Sequence, residues 1–371
     1  MIDIGKILKR AWHVLWNYKM LWIFGLLLAI TAGGAGSNNG SGYRFDAGER
    51  WNSQNNYDPE YQPGPEMQRF IQWFDLNVVP VFEHPGEHVA TYIWIGVGLL
   101  LFILVVSAIH ALIRYPAETA VLRMVDEHEQ SGTRLGFKQG WKLGWTKRAF
   151  RLWLLDLIIG LPALLFVLLL LGAGILLFTT VENGGSGAIV LGSVTAIACA
   201  GLFFFALGLF MVFVGLLREF FARAIALEEA SVGDAFRNGW KSFKANWKSA
   251  ALMWLVMLGI GFGFGIAAMI AFFLLIPAYL LTGLAGLIVA ALPGAIAYGI
   301  TSLFAGSILS WIVAAVVALP IFFTVLFSPI SFVSGLYIIF SSTVWTLSWR
   351  EMKVLENLEP KPAETLPPMA S

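Results

Sequence analysis

Asp156 is the chemical oddity of this chain. In RLWLLDLIIG it is the one formal charge well within a long apolar run, five residues beyond Arg151. An intramembrane carboxylate costs roughly 2.5–3.5 kcal/mol at mid-bilayer and less near an interface. No basic residue stands at i±3 or i±4, so its partner must come from another helix. His110, four residues before Arg114 on a run that ends on the same side, is the candidate at similar depth. Two readings of Asp156 and His110 stay open: a proton-linked pair, or a structural hydrogen bond with the carboxylate snorkelling toward water.

Other residues with chemical capacity are sparse. His84 and His88 in HPGEH, flanked by Glu83, superficially offer metal ligands. Pro85 and Gly86 make a turn there, whereas an i, i+4 histidine pair converges on a metal only from a helix. The single cysteine, Cys199, lies inside an apolar span, which excludes an intrachain disulfide framework and a thiolate cluster. The sequence carries no phosphate-binding loop, nucleophile elbow or zinc signature. No catalytic, cofactor-binding or metal-ligating residue is therefore expected, and the chain does not read as an enzyme. Gly259, Gly261, Gly263 and Gly265 suit close helix packing or a hinge, and Thr324, Ser328 and Ser331 suit helix-to-helix bonding or a cavity lining.

Composition dictates what must hold these residues. With 58% hydrophobic and 13% charged residues, and apolar runs beyond the roughly 18 residues that cross a bilayer, the chain reads as an all-α polytopic membrane protein. Spans are expected at 20–36, 92–113, 153–180 and 188–217, followed by an apolar tract over 250–345. Between Arg114 and Arg151 stand eight basic residues (Arg114, Arg123, Arg134, Lys138, Lys142, Lys147, Arg148, Arg151) against four acidic ones. Residues 218–248 hold six against four, and the first twenty hold four against one. Residues 37–90 instead hold three basic against eight acidic. The positive-inside rule places the amino terminus and both basic segments in the cytoplasm and the acidic segment outside. The basic start, short apolar core and TAGGAGS outline a secretory leader, but the helical pattern before the core favours an uncleaved first span.

Three basic, tryptophan-bearing amphipathic stretches precede apolar spans: residues 4–19, 133–151 and 231–248. Trp12, Trp141 and Trp240 stand at matching places, each after Ala or Gly. In the third, Val232, Phe236, Trp240, Phe243 and Trp247 follow helical spacing, and Ser231 with Asp234 resembles a capping box. These stretches are expected to lie on the inner leaflet, with Trp12, Trp141, Trp240, Lys142, Lys241 and Lys244 against anionic lipid. Each return span continues into a short mixed-charge tail. A threefold repeat follows: residues 1–130, 131–230 and 231–357, with 358–371 a disordered cytoplasmic tail. Three such units give six crossings. The third carries an apolar insert near 280–304, where Pro277, Gly283, Gly286, Pro293 and Gly294 favour broken or re-entrant helices; eight crossings is the alternative. In the external segment, Met67, Phe70, Ile71 and Phe74 predict a short amphipathic helix after Pro65.

The segment ARAIALEEASVGDAFRNGWKSFKANW and the closing SSTVWTLSWREM resemble bacterial membrane proteins that include the glycerophosphoryl diester phosphodiesterase membrane domain and related domains of unknown function. The likeness covers the second half of the chain and reaches the first only through the repeat. In those phosphodiesterases the domain is non-catalytic and joined to a soluble barrel, which is not expected here. The resemblance implies a bacterial plasma-membrane location. The function expected is a scaffold or accessory protein organising lipid or partner proteins, the alternative being a carrier for a lipid-like or small solute, proton-linked through Asp156. Membrane lipid is the expected partner; nucleic acid is not.

Overall fold

In hydrocarbon a backbone group finds no water, so apolar runs satisfy their N–H and C=O groups within helices. A computed structural model describes residues 2–31, 64–77, 79, 89–182, 188–304 and 306–358, and their regular structure is entirely helical. The helices are α1 (Ile4–Asn17), α2 (Met20–Thr31), α3 (Pro65–Asn77), α4 (Val89–Ser131), α5 (Phe137–Gly144) and α6 (Lys147–Glu182). They continue as α7 (Ala188–Glu228), α8 (Val232–Ala245), α9 (Trp247–Leu274), α10 (Ile276–Thr301), α11 (Ser307–Leu326) and α12 (Ser328–Leu358).

Seven of these are long and apolar enough to cross a membrane, and eight spans result if α1 and α2, bent by 97°, count as one. This is an integral membrane protein. The insert near 280–304, where broken or re-entrant helices were expected, falls on α10, which passes the same test, as does α11 after it. The helix-breaking signals found other uses. Pro277 lies in the first turn of α10, where its missing N–H is harmless, and Pro293 is accommodated inside that helix. By length and composition the described residues thus offer seven candidate crossings, or eight with the bent pair.

The chain forms two compact units that interleave along the sequence. Among the described residues the first comprises 2–31, 112–182, 188–269 and 332–358, and the second 64–77, 79, 89–111, 270–304 and 306–331. Almost all of the buried core belongs to the first and gathers at its basic end. There α1, α5 and α8, termed collars below, pack against the tails of the long helices: residues 112–131 of α4, 215–228 of α7 and 332–358 of α12.

Each collar turns small or apolar residues toward the tails. Helix α1 buries Ile7, Ala11, Val14 and Leu15; α5 buries Gly140 and Gly144; α8 buries Ala235, Gly239 and Ser242. The residue preceding each matched tryptophan, Ala11, Gly140 or Gly239, sits in these contacts. A Cβ on Gly140 would stand 2.3 Å from Met124 Sδ, and one on Gly144 2.1 Å from the Pro116 carbonyl oxygen. A Cβ on Gly239 would stand 2.4 Å from Phe221. Thus α5 rests on the α4 tail and α8 on the α7 tail. Helix α1 meets α12 through Trp12 and Phe340, and α2 meets it where a Cβ on Gly25 would stand 2.6 Å from the Gly335 oxygen. Each collar region also reaches a second tail. Arg10 pairs with Glu129 on α4, Arg148 donates to the Ala226 carbonyl of α7, and Ser242 donates to Glu356 on α12. Tyr18 closes the turn after α1, its hydroxyl donating to the Leu135 carbonyl at 2.9 Å and accepting from the Leu135 N–H at 2.6 Å.

The caps follow from local chemistry. Ser231 Oγ accepts from the Asp234 N–H at 3.2 Å and donates to its carboxylate at 2.6 Å, so the expected N-cap of α8 forms. Asp3 caps α1 by accepting from the Lys6 N–H.

In the second unit, α3 is the helix expected after Pro65, with Phe70, Ile71 and Phe74 exposed. Helices α10 and α11 pair closely: Gly286 and Gly294 are buried, with Phe322 and Ala318 of α11 beside them. Thr282 donates across the pair to the Leu326 carbonyl at 2.9 Å. Small residues that let backbones approach, with a hydroxyl bridging them, are the usual means of joining helices in lipid.

Candidate functional site

The three tails carry the charge that membrane helices otherwise avoid, and every tail-to-tail seam has an ion pair. Glu118 of α4 meets Arg218 of α7 at 2.9 Å, Glu228 of α7 meets Lys353 of α12 at 3.1 Å, and Asp126 of α4 meets Arg350 of α12 at 2.6 Å. Arg350 also donates to the Asp126 carbonyl. Arg223, buried on α7, donates to the Glu219 carbonyl and carboxylate within its own helix and to the Ser342 carbonyl of α12.

The densest point is Arg218. Its Nε and Nη2 donate to the two carboxylate oxygens of Asp156 at 2.6 and 2.8 Å, a forked arrangement. Nη2 also donates to Glu118 at 3.1 Å, while Nη1 lies 2.9 Å from the other Glu118 oxygen. The Arg218 side chain is 9% exposed and each carboxylate 17%. Arginine suits this place because its charge is delocalised over a planar fork that serves two carboxylates at once. The cluster carries a formal charge of −1, with Arg114 and Arg223 within electrostatic reach of Glu118.

Helix geometry accounts for the meeting. Asp156 stands nine residues from the start of α6 and Arg218 ten from the end of α7. At 1.5 Å per residue both lie about 14 Å from the same end of an antiparallel pair. His110 stands eight residues before Glu118 on α4, about 12 Å farther along the axis. Asp156 takes Arg218; His110 is exposed and belongs to the second unit. Chemically, this is an arginine clasp joining α4, α6 and α7.

The remaining sequence candidates divide. Trp12 is 56% exposed and Trp240 47%, while Trp141 is half-buried against Phe24, Phe137 and Trp145. Lys142, Lys241 and Lys244 are exposed on their collars. Of the alternating glycines, Gly261 faces the Tyr337 hydroxyl of α12, whereas Gly259 and Gly263 face open space. Thr324 bonds back to the Pro320 carbonyl of its own helix. The 83–88 metal candidate lies outside the described residues, and among the described residues no three metal-ligating side chains converge. Missed by sequence reading were Arg218 and Glu118; for Arg218 the signal available was a distance from its helix end that matches that of Asp156.

No curated protein and no solved structure matches this chain. A family of unknown function, DUF7544, matches over residues 14–341, so the chain belongs to that family.

Proposed function

We propose that the protein is a non-catalytic membrane scaffold of the bacterial plasma membrane, with both termini and all three collars on the cytoplasmic side. The observation that carries this is the two-sidedness of the collars. Their small faces grip the tails, while cations on all three, and Trp12 and Trp240 on two, remain outward. On α8 and the start of α9, Arg237, Lys241, Lys244 and Lys248 are all exposed at i, i+4, i+7 and i+11, beside exposed Trp240 and Trp247. Cations and amphipathic rings arranged this way fit the headgroup boundary of an anionic leaflet. Three collars on one rigid tail bundle then gather anionic lipid around the spans, and the three segments behave as copies of one unit.

The buried charges support a structural role. Asp156, Glu118, Arg218 and Arg223 all have protein partners, which favours scaffold over carrier. Purification in native nanodiscs tests it by comparing co-isolated lipid with the bulk membrane. Enrichment of anionic lipid, reduced in Lys241→Gln/Lys244→Gln/Lys248→Gln, is expected. Unchanged lipid composition overturns it, as does solute or lipid flux in proteoliposomes that Asp156→Asn abolishes, which establishes the carrier.

A further inference from the structure

Helix α1 carries a continuous cationic face that opens to the surface. Lys6, Lys9, Arg10 and His13 stand at i, i+3, i+4 and i+7, opposite the buried Ile7, Ala11, Val14 and Leu15. With Asp3 and Gly5 they line a shallow, open groove of about 610 Å³ along one face of the helix. Arg10 is held by Glu129, and Asp3 is engaged with the Lys6 N–H. Lys6 and Lys9 have no ion pair among the described residues. Gly5 leaves one side open, since a Cβ there would meet only Asp3 Oδ1, at 3.5 Å.

An apolar track adjoins this groove. Trp12 and Trp16, in edge contact at 5.6 Å, are exposed beside the cations, and exposed Met20 and Ile23 continue along α2 after the 97° bend. Cations followed by an exposed apolar strip complement an amphiphile: an anionic head in the groove and an acyl chain along Trp16, Met20 and Ile23. A soluble anion makes no use of that strip.

We propose that the α1 groove is a discrete binding site for the phosphodiester headgroup of an anionic glycerophospholipid, with Lys6 and Lys9 as its principal ligands. This deepens the lipid-organising reading, which supplies the membrane orientation, by placing a one-to-one site on one collar.

Native mass spectrometry of the delipidated full chain, titrated with phosphatidylglycerol or phosphatidylcholine, tests it. One phosphatidylglycerol should bind at least tenfold more tightly than phosphatidylcholine. Lys6→Gln/Lys9→Gln should remove that preference, Lys6→Arg/Lys9→Arg should retain it, and neither should shift thermal stability, because both lysines are exposed. Retention of the preference in the glutamine variant overturns the site. An equal partial loss in that variant and in Lys241→Gln/Lys244→Gln also overturns it, leaving diffuse collar attraction and the scaffold reading intact. Displacement of the bound lipid by millimolar glycerol 3-phosphate assigns the groove to a soluble phosphoester and overturns the lipid assignment.

Discussion

Arg218→Gln removes the one cation between Glu118 and Asp156 while keeping much of the side chain's length. In the native protein four N···O approaches of 2.6–3.1 Å join these groups, with side chains 9–17% exposed. At an effective dielectric near 20, each charge pair about 4 Å apart contributes about 4 kcal/mol of attraction before desolvation, which offsets much of it. Removing one partner of a buried pair costs about 3–5 kcal/mol, because the remaining charge stays buried without compensation. With about 2–4 °C per kcal/mol for a unit of this size, Tm should fall by about 6–20 °C. The assay is thermal challenge in detergent followed by size-exclusion chromatography of the surviving monodisperse protein. Glu118→Gln/Asp156→Asn/Arg218→Gln, which leaves no charge in the cluster, should regain at least half of the loss. Glu118→Gln alone should be milder than Arg218→Gln, since Asp156 still neutralises the guanidinium. A triple variant no more stable than Arg218→Gln would refute the electrostatic account and leave packing as the cause.

Gly144→Ala places a methyl 2.1 Å from the Pro116 carbonyl and should destabilise by about 1–3 kcal/mol, while Gly259→Ala, facing open space, should match the wild type in the same thermal assay. Tyr18→Phe strips the Leu135 backbone of both bonds and should cost about 1–3 kcal/mol, with faster hydrogen exchange at Leu135. Glu229 has φ of 58° and a side chain 69% exposed in its pair with Arg148. Relief of left-handed strain, about 1 kcal/mol, should outweigh so exposed a pair. Glu229→Gly should therefore match or exceed wild-type Tm, and Glu229→Ala should fall below it.

Much of this was legible in the sequence where the signal is local. The helical collar segments, the Ser231 cap and the unusual position of Asp156 all follow from spacing within one stretch of chain. The partner of Asp156 was harder to read because Arg218 lies 62 residues away and borders a basic segment, where it counts toward orientation. Matching the distances of Asp156 and Arg218 from their helix ends recovers the pair. The tryptophans drew attention to the collars, yet Ala11, Gly140 and Gly239 form the contacts; small residues carry little composition signal and act through what they permit to approach. In α10, Gly286 and Gly294 serve packing instead of breakage because α11 lies alongside, which no local pattern encodes.

The contact between the first and last parts of the chain has a consequence for the order of events at the ribosome. Trp12 waits for Phe340 and Gly25 for Gly335, separations of more than 300 residues. At about 5–20 residues per second, the interval is roughly 15–60 s. During it α5 can settle on the α4 tail and α8 on the α7 tail as each is made, while α1 has yet to meet its α12 surface. Assembly is thus stepwise until the final helix arrives and then closes in one event, making α12 the element whose delayed or truncated synthesis leaves the earliest-made helix without its seat.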